Sequence, residues 1–305
     1  MSGVQRFQES KEVFSTDCFI TIISTREHKK QIFNTLWIDI ENFSKKFSRF
    51  DPVSELTIVN QKAGKFVTVS SEFIKLLKVS VKLAKDTQGV FNPLILPALQ
   101  RSGYVGSWPV YILSNKGTDY SKRDVGSFEK IIIKGNKVKL PANTALDFGG
   151  IGKGYLLDKL TVELDRLKVS SFWISLGGDV IGKGRDIDGK PWEIEVGLAE
   201  NEALTAATVE FDAVVSCSVA TSGTLKRKGL SWQHIINPFT GLPSDTKVVS
   251  ASVYHNSATH ADVYAKCCII LGKDRSKEFA KKHNISVLLQ MKNGEIVKIG
   301  KVWKQ

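Results

Sequence analysis

The stretch ALDFGGIGKGYLLDKLTVELDRLK, Ala145–Lys168, reads as a short buried strand (Ala145–Phe148), a glycine-dense turn (Gly149, Gly150, Gly152, Gly154) and an amphipathic helix. A strand ending in glycines at a helix start gathers free backbone N–H groups at the positive end of a helix dipole. Lys153 inside the turn adds a full positive charge, and the combination suits an anion such as a phosphate. The run Gly149–Gly154, GGIGKG, matches neither GxGxxG nor GxxxxGK[ST], so no nucleotide-binding fold follows from it. Taken alone, the segment reads first as a tight strand-to-helix turn.

Upstream, Val13–Ser24 is a strand rich in β-branched and aromatic residues. His28–Phe50 is predicted as a long helix. Its apolar residues Ile32, Leu36, Ile40, Phe43, Phe47 and Phe50 recur at helical spacing on one stripe, and Asp51-Pro52 ends it. Ser54–Asn60 is expected as a short helical turn and Lys65–Val69 as a strand. Ser70 caps a helix running to about Thr87, which Gly89 stops. Gly89–Leu99 is apolar but contains Pro93 and Pro97, and reads as an ordered loop. Residues 100–127 read as a variable surface excursion, and Phe128–Leu140 as a hairpin turning at Gly135-Asn136.

Downstream, Phe172–Leu176 and Val180–Gly184 are predicted strands joined through Gly177, Gly178 and Asp179. Further strands are expected at Trp192–Leu198, Leu204–Phe211, Ala213–Val219, Gln233–Ile236 and Val248–His255. Helices at Ala258–Leu271 and Arg275–His283 precede a closing hairpin, Val287–Val302, that turns at Asn293-Gly294. Helices and antiparallel hairpins mix without strict βαβ alternation. That predicts an α+β fold of mixed, mainly antiparallel sheets packed with helices. No composition break marks a linker, so residues 1–305 are expected to form a single compact domain.

With 305 residues, 42% hydrophobic and 24% charged, the chain has ordinary globular composition. A formal charge of +12 favours anionic partners. The basic residues are scattered, as at Lys29-Lys30, Lys45-Lys46, Lys226–Lys228 and Lys281-Lys282. There is no arginine-rich tract, zinc-finger spacing or aromatic–basic RNA motif, so nucleic acid is not the expected partner. Cys18, Cys217, Cys267 and Cys268 include no CxxC pair and suggest no disulfide framework. No window approaches a membrane span. The N-terminal MSGVQRFQESKEVFSTD lacks an apolar export segment. A cytoplasmic location is the expectation, with export the alternative if a signal peptide has been removed.

Polar or glycine-rich loops are placed just after strands: Leu176–Asp179 (LGGD), Ala220–Gly223 (ATSG), His234–Gly241 (HIINPFTG) and Ala261–Ala265 (ADVYA). Each alone is turn chemistry, and Asn237–Gly241 is a good type I turn. In this order and spacing, with Asp147–Tyr155 (DFGGIGKGY), they resemble the FAD:protein FMN transferase family, also called the ApbE family. Ser54-Glu55, Asn60, Gly89 and Phe91-Asn92-Pro93 extend the resemblance upstream, and the match runs from about residue 50 to 270.

The resemblance implies an enzyme that cleaves FAD, attaches FMN to a serine or threonine hydroxyl of an acceptor flavoprotein, and releases AMP. FAD pyrophosphatase activity and non-catalytic, metal-free FAD binding are the alternatives. It assigns His234 and Asp262 to catalysis. It assigns FAD binding to Asn60, Gly149, Gly150, Lys153, Gly177, Gly178, Asp179, Thr221, Ser222, Gly223, His234, Thr240 and Gly241. It also implies magnesium held by the carbonyl of Gly150, by Asp262, and by a threonine four residues further on. That last position here is Lys266. Asp262 and Lys266 stand one helical turn apart, the spacing of an intrahelical ion pair. A unit charge about 4 Å from a divalent ion costs about 8 kcal/mol at an effective dielectric of 20. The alternatives are that the ammonium takes the metal's place or prevents its binding, that its long stem swings the charge away into solvent, or that the lysine is neutral. Smaller departures are Gly152 in place of alanine, Leu225 in place of an aromatic, and Asn92 and Asn237 in place of aspartates.

Overall fold

A computed structural model describes residues 3–104, 119–225 and 233–304. Hairpin strands β1 (Gln5–Val13) and β2 (Thr16–Ser24) open the chain, followed by α1 (Arg26–Phe47) and α2 (Glu55–Gln61). Next come β3 (Val67–Thr68), α3 (Ser71–Asp86), α4 (Leu96–Arg101), β4 (Ile132–Lys134) and β5 (Lys137–Lys139). Helix α5 (Gly152–Arg166) leads to β6 (Phe172–Leu176), β7 (Asp179–Lys183), β8 (Glu193–Gly197), β9 (Thr205–Glu210) and β10 (Cys217–Gly223). The chain closes through β11 (Ile236–Asn237), β12 (Leu242–Pro243), β13 (Val248–His255), α6 (Ala258–His283), β14 (Ser286–Met291) and β15 (Ile296–Ile299). These elements fall into two compact units, the first comprising Met1–Asn42, Lys153–Gly223 and Lys247–Gln305, the second Phe43–Gly152 and Thr224–Thr246. Helices and antiparallel sheets make the fold α+β, as expected.

The first unit is built on an eight-stranded sheet in the order β1-β2-β6-β7-β10-β13-β14-β15, antiparallel at each neighbouring pair. The predicted strand Val13–Ser24 is here the second arm of a hairpin that reverses at Phe14 and Ser15, both left-handed at φ 54° and 56°. Strand β1 escapes a pattern search because it is an edge strand, polar and mostly exposed (QRFQESKEV). Ile32, Leu36 and Ile40 of α1 and Leu156, Leu157, Leu160 and Leu164 of α5 are buried, as their helical spacing predicts. A second apolar cluster joins Trp192, Val196, Val209, Phe211, Val219, Leu288 and Trp303. The two helices expected at the C-terminal end are present, separated by the non-helical Gly272 (φ 76°, ψ 177°) within the run α6.

In the second unit, Ser70 caps α3 as expected, its hydroxyl accepting the Phe73 N–H at 3.2 Å. The Glu55 carboxylate accepts from Ser70 N–H and hydroxyl in turn, tying α2 to that cap. Phe47, Phe73 and Phe148 form an aromatic core with ring centroids 5.6–5.8 Å apart. The expected loop Gly89–Leu99 ends in α4, with Pro97 in the first turn where its missing N–H is not needed. Part of the expected surface excursion, 105–118, lies outside the described residues, as do Lys226–Lys228. At the excursion's described ends Gln100 and Tyr120 are buried, and the Gln100 side-chain oxygen accepts the Tyr120 N–H at 2.5 Å. These two residues are packed inward, while Arg101, Asp119, Lys122 and Asp124 beside them are exposed. Among the described residues, no helix is long and apolar enough to cross a membrane.

Against α6 in the first unit, His255 stacks on His260 with ring centroids 4.9 Å apart, and both meet the Tyr264 ring edge-on. Burial, reinforced by the neighbouring His260, lowers the His255 pKa from 6.5 to about 4. A histidine held neutral in the fold contributes stability that is present above its unfolded pKa and lost as pH falls through the folded one. The shift corresponds to about 2 kcal/mol once the partial exposure of the ring is discounted. The melting temperature is accordingly expected to decline between about pH 6.5 and pH 4, and His255→Phe to flatten that decline. Thermal melts of the two proteins across this range check it; parallel acid limbs would contradict it.

Candidate active site

The decisive stretch does not begin as a strand. Ala145–Phe148 is buried but, among the described residues, pairs with no strand. The Asn60 amide replaces the missing partner: Nδ2 donates to the Leu146 carbonyl at 2.9 Å and Oδ1 accepts the Leu146 N–H at 2.7 Å. Asn60 is 1% exposed, so its side chain shapes this segment rather than presenting itself to solvent. Asp147 follows, its N–H bonded to the Pro93 carbonyl, its carboxylate accepting the Gly149 N–H at 2.8 Å and facing Arg49 at 3.5 Å.

The turn itself uses more of its own N–H groups than the sequence suggests. Ile151 and Gly152 donate to the Phe148 carbonyl and Gly149 to Asp147. Gly154, two residues into α5, donates to Asp262 at 3.1 Å. The expected pool of free amides is thus partly consumed within the protein. A carboxylate from α6 sits at the start of α5, where the helix dipole favours it.

In the first unit, Lys153, Asp179, Thr221, Asp262 and Lys266 form one polar group. Gly177 and Gly178 take left-handed φ values of 60° and 89° and turn the chain from β6 into β7. Asp179 therefore opens β7 and is 1% exposed. It accepts the Lys153 ammonium on Oδ2 and the Thr221 N–H on Oδ1 at 2.9 Å. Asp262 is likewise 1% exposed, with Oδ1 on the Lys266 ammonium and Oδ2 on Gly154. Lys266 also donates to the Asp262 carbonyl at 3.1 Å. Burial pushes the Asp179 carboxyl up; the Lys153 charge opposes this, the Asp262 carboxylate adds to it, and Lys266 opposes it again. Carboxylates and ammoniums alternate.

The segment Ala220–Gly223, expected as a loop, lies inside β10 and pairs with β13. Its Thr221 hydroxyl bonds to Ser252 at 2.8 Å, and Ser222 is buried. Ala261–Ala265, grouped with the loops by its residue types, lies inside α6 as the expected helix Ala258–Leu271 requires; α6 starts at Ala258 with Ser257 as N-cap. In both cases polar residues sit in regular structure because neighbouring side chains satisfy them. Sequence inspection gave no role to Asp158, yet it anchors this helix start. Its carboxylate accepts from the Ser257 hydroxyl (2.7 Å), the Ala258 N–H (2.7 Å), and the Thr259 N–H (3.0 Å) and hydroxyl (2.5 Å). Asp158→Asn is expected to cost about 2 kcal/mol, because the amide cannot accept all of these bonds. Urea denaturation should show a lower midpoint at unchanged m-value.

In the second unit, His234 precedes β11 and meets the ring of Tyr104 edge-on at 6.2 Å. Tyr104 lies under the Arg49 guanidinium, 4.6 Å from its ring centroid, and Arg49 is equally close to Phe50. Thr240 and Gly241 build the β11–β12 turn: Gly241 (φ 69°) donates to the Asn237 carbonyl at 2.8 Å, and Thr240 accepts the Leu242 N–H. Arg49 and Tyr104 had no sequence signal, and Asp147 had one only as the first residue of the Asp147–Tyr155 motif. Gly149 and Gly150 lie in this unit, two and three residues after Asp147.

The implied magnesium site does not fit these residues. Both oxygens of Asp262 have donors, and Lys266, itself a donor, stands at the third ligand position. Among the described residues, no group of three or more His, Cys, Asp or Glu side chains is placed to hold a metal ion.

The chain matches the profile of the ApbE family over residues 14–289. It is 25% identical to the FAD:protein FMN transferase of Haemophilus influenzae over 305 aligned residues, covering 95% of this chain and 86% of that protein. It is also 25% identical to the FAD:protein FMN transferase of Vibrio cholerae, covering 84% and 78%. Its fold superposes on the ApbE protein of Thermotoga maritima with a TM-score of 0.85 at 22% identity, over 97% of each chain. The flavin transferase ApbE of Vibrio cholerae gives a TM-score of 0.82 at 23% identity, over 97% and 98%. A profile spanning nearly the whole chain, together with this shared fold, identifies it as a member of the ApbE family.

Proposed function

We propose that this chain is an FAD:protein FMN transferase. It cleaves the diphosphate of FAD, attaches FMN to a serine or threonine hydroxyl of an acceptor flavoprotein, and releases AMP. The observation that carries this reading is the family match over 14–289, together with relatives of that name aligned along most of their length.

The hydroxyl oxygen of the acceptor attacks the phosphorus on the FMN side. The bond from that phosphorus to the bridging oxygen breaks, and the bridging oxygen leaves with AMP. Phosphoryl transfer of this kind depends on positioning and charge neutralisation more than on covalent help from the protein. His234 takes the hydroxyl proton as general base. Lys153 supplies positive charge to the diphosphate. Gly149, Gly150, Gly177, Gly178, Gly223 and Gly241 allow close approach of main chain to ligand, Thr221, Ser222 and Thr240 are its polar contacts, and the buried Asp179 acts through Lys153, which it holds. Asn60 acts through the segment it holds, and Asp262 through the start of α5.

Purified protein incubated with FAD and a flavoprotein acceptor tests the reading. AMP release matched by covalent FMN on the acceptor supports it. AMP with only free FMN identifies a pyrophosphatase, and bound FAD without AMP identifies a non-catalytic flavin binder.

A further inference from the structure

We propose that Lys266 takes the place of a divalent cation at Asp262, so that this protein cleaves FAD without one. The inference rests on the transferase reading above and concerns only the polar group of the first unit. Magnesium requires oxygen ligands in near-octahedral array. Asp262 offers none that is uncommitted: Lys266 holds Oδ1 and the main-chain carbonyl, and the Gly154 N–H holds Oδ2.

Neither donor can easily withdraw. Gly154 is locked against the start of α6, where a Cβ on it would lie 2.3 Å from the Ala258 carbonyl oxygen. The side chain of Lys266 is only 17% exposed, so its charge is not carried out into bulk water. The charges also balance already. Two buried carboxylates, Asp179 and Asp262, each hold one ammonium, Lys153 and Lys266. A divalent ion added here would meet two fixed cations and find no uncompensated carboxylate. The positive charge that a metal would bring is therefore built into the chain as an ammonium.

The experiment titrates Mn2+ into the full-length protein and follows free Mn2+ by electron paramagnetic resonance, with AMP release from FAD measured in parallel in EDTA and in magnesium. The wild-type protein is expected to bind no Mn2+ up to about 1 mM, and to release AMP at rates within about twofold in the two buffers. Lys266→Thr is expected to gain one Mn2+ site, to lose it again when combined with Asp262→Asn, and to become magnesium-dependent. Stoichiometric Mn2+ binding by the wild type that Asp262→Asn removes, or loss of AMP release in EDTA, overturns the proposal. Absence of AMP in both buffers defeats the transferase reading, while the Mn2+ titration of the wild type still decides the metal question.

Discussion

Gly154→Ala is expected to destabilise the protein by about 3 kcal/mol, although alanine is the better helix former by about 1 kcal/mol. The cause is steric. A Cβ at Gly154 would lie 2.3 Å from the Ala258 carbonyl oxygen, 2.7 Å from its carbon and 2.8 Å from the Asp262 Cβ. Two of these atoms are backbone at the start of α6, which Asp158 pins through Ser257, Ala258 and Thr259. The helix start cannot retreat without releasing those bonds. The Gly154 N–H bond to Asp262 is lost with it, which loosens the carboxylate that Lys266 holds. Gly152, two residues earlier, is the internal control. A Cβ there finds only ordinary contacts, 3.7 Å to the Phe43 ring and 3.9 Å to the Phe148 Cβ. Gly152→Ala is therefore expected to be neutral or to stabilise by up to about 1 kcal/mol. Chemical denaturation of both variants checks the pair; equal effects would show that the packing against α6 is not the determinant.

Lys153→Met is the second large effect, about 3 kcal/mol at pH 8, with a marked fall in FAD cleavage. It leaves the Asp179 carboxylate, 1% exposed, with the Thr221 N–H but without its counter-ion. Burial already pushes the Asp179 carboxyl up, and Lys153 is the strongest influence holding it down. Without Lys153 the folded pKa rises further above the unfolded one. A group with a raised folded pKa contributes stability that is present below the unfolded pKa and lost as pH rises through the folded pKa. The variant is therefore expected to lose most stability at alkaline pH and to approach the wild type as pH falls. This is opposite in sign to the acid limb set by His255. Melting curves at several pH values check the sign, and adding Asp179→Asn should restore most of the loss by removing the stranded charge. A loss independent of pH would mean that Lys153 acts through packing instead.

Much of the architecture was legible because it is written at short range. The stripe Ile32, Leu36, Ile40, Phe43 and Phe47 is buried in α1, Ser70 caps α3, and the hairpin turns at Gly135-Asn136 and Asn293-Gly294 fall where expected. Each depends on a few neighbouring residues. Strand β1 was hidden because an edge strand needs no apolar alternation, only a partner, which it finds in β2. Ala145–Phe148 looked like a strand because its composition is that of a buried extended segment. Its main chain is satisfied by the Asn60 side chain, 86 residues away in sequence, rather than by another strand.

The candidate site divides in the same way. The residue types and their order, from Asp147–Tyr155 through Gly177–Asp179, Ala220–Gly223, His234–Gly241 and Asp262, were determined by the sequence, and so was the presence of lysine at position 266. The i, i+4 pairing of Asp262 with Lys266 also followed from sequence, since helix geometry alone brings those positions together. Only the tertiary structure decided that Gly154 donates to Asp262 across 108 residues, that Asp179 holds Lys153, and that Asp158 pins the start of α6. The physical reason is that a buried carboxylate must be satisfied, but any of several distant donors could satisfy it. Which of them does so is fixed by the packing of α5, α6 and the central sheet of the first unit.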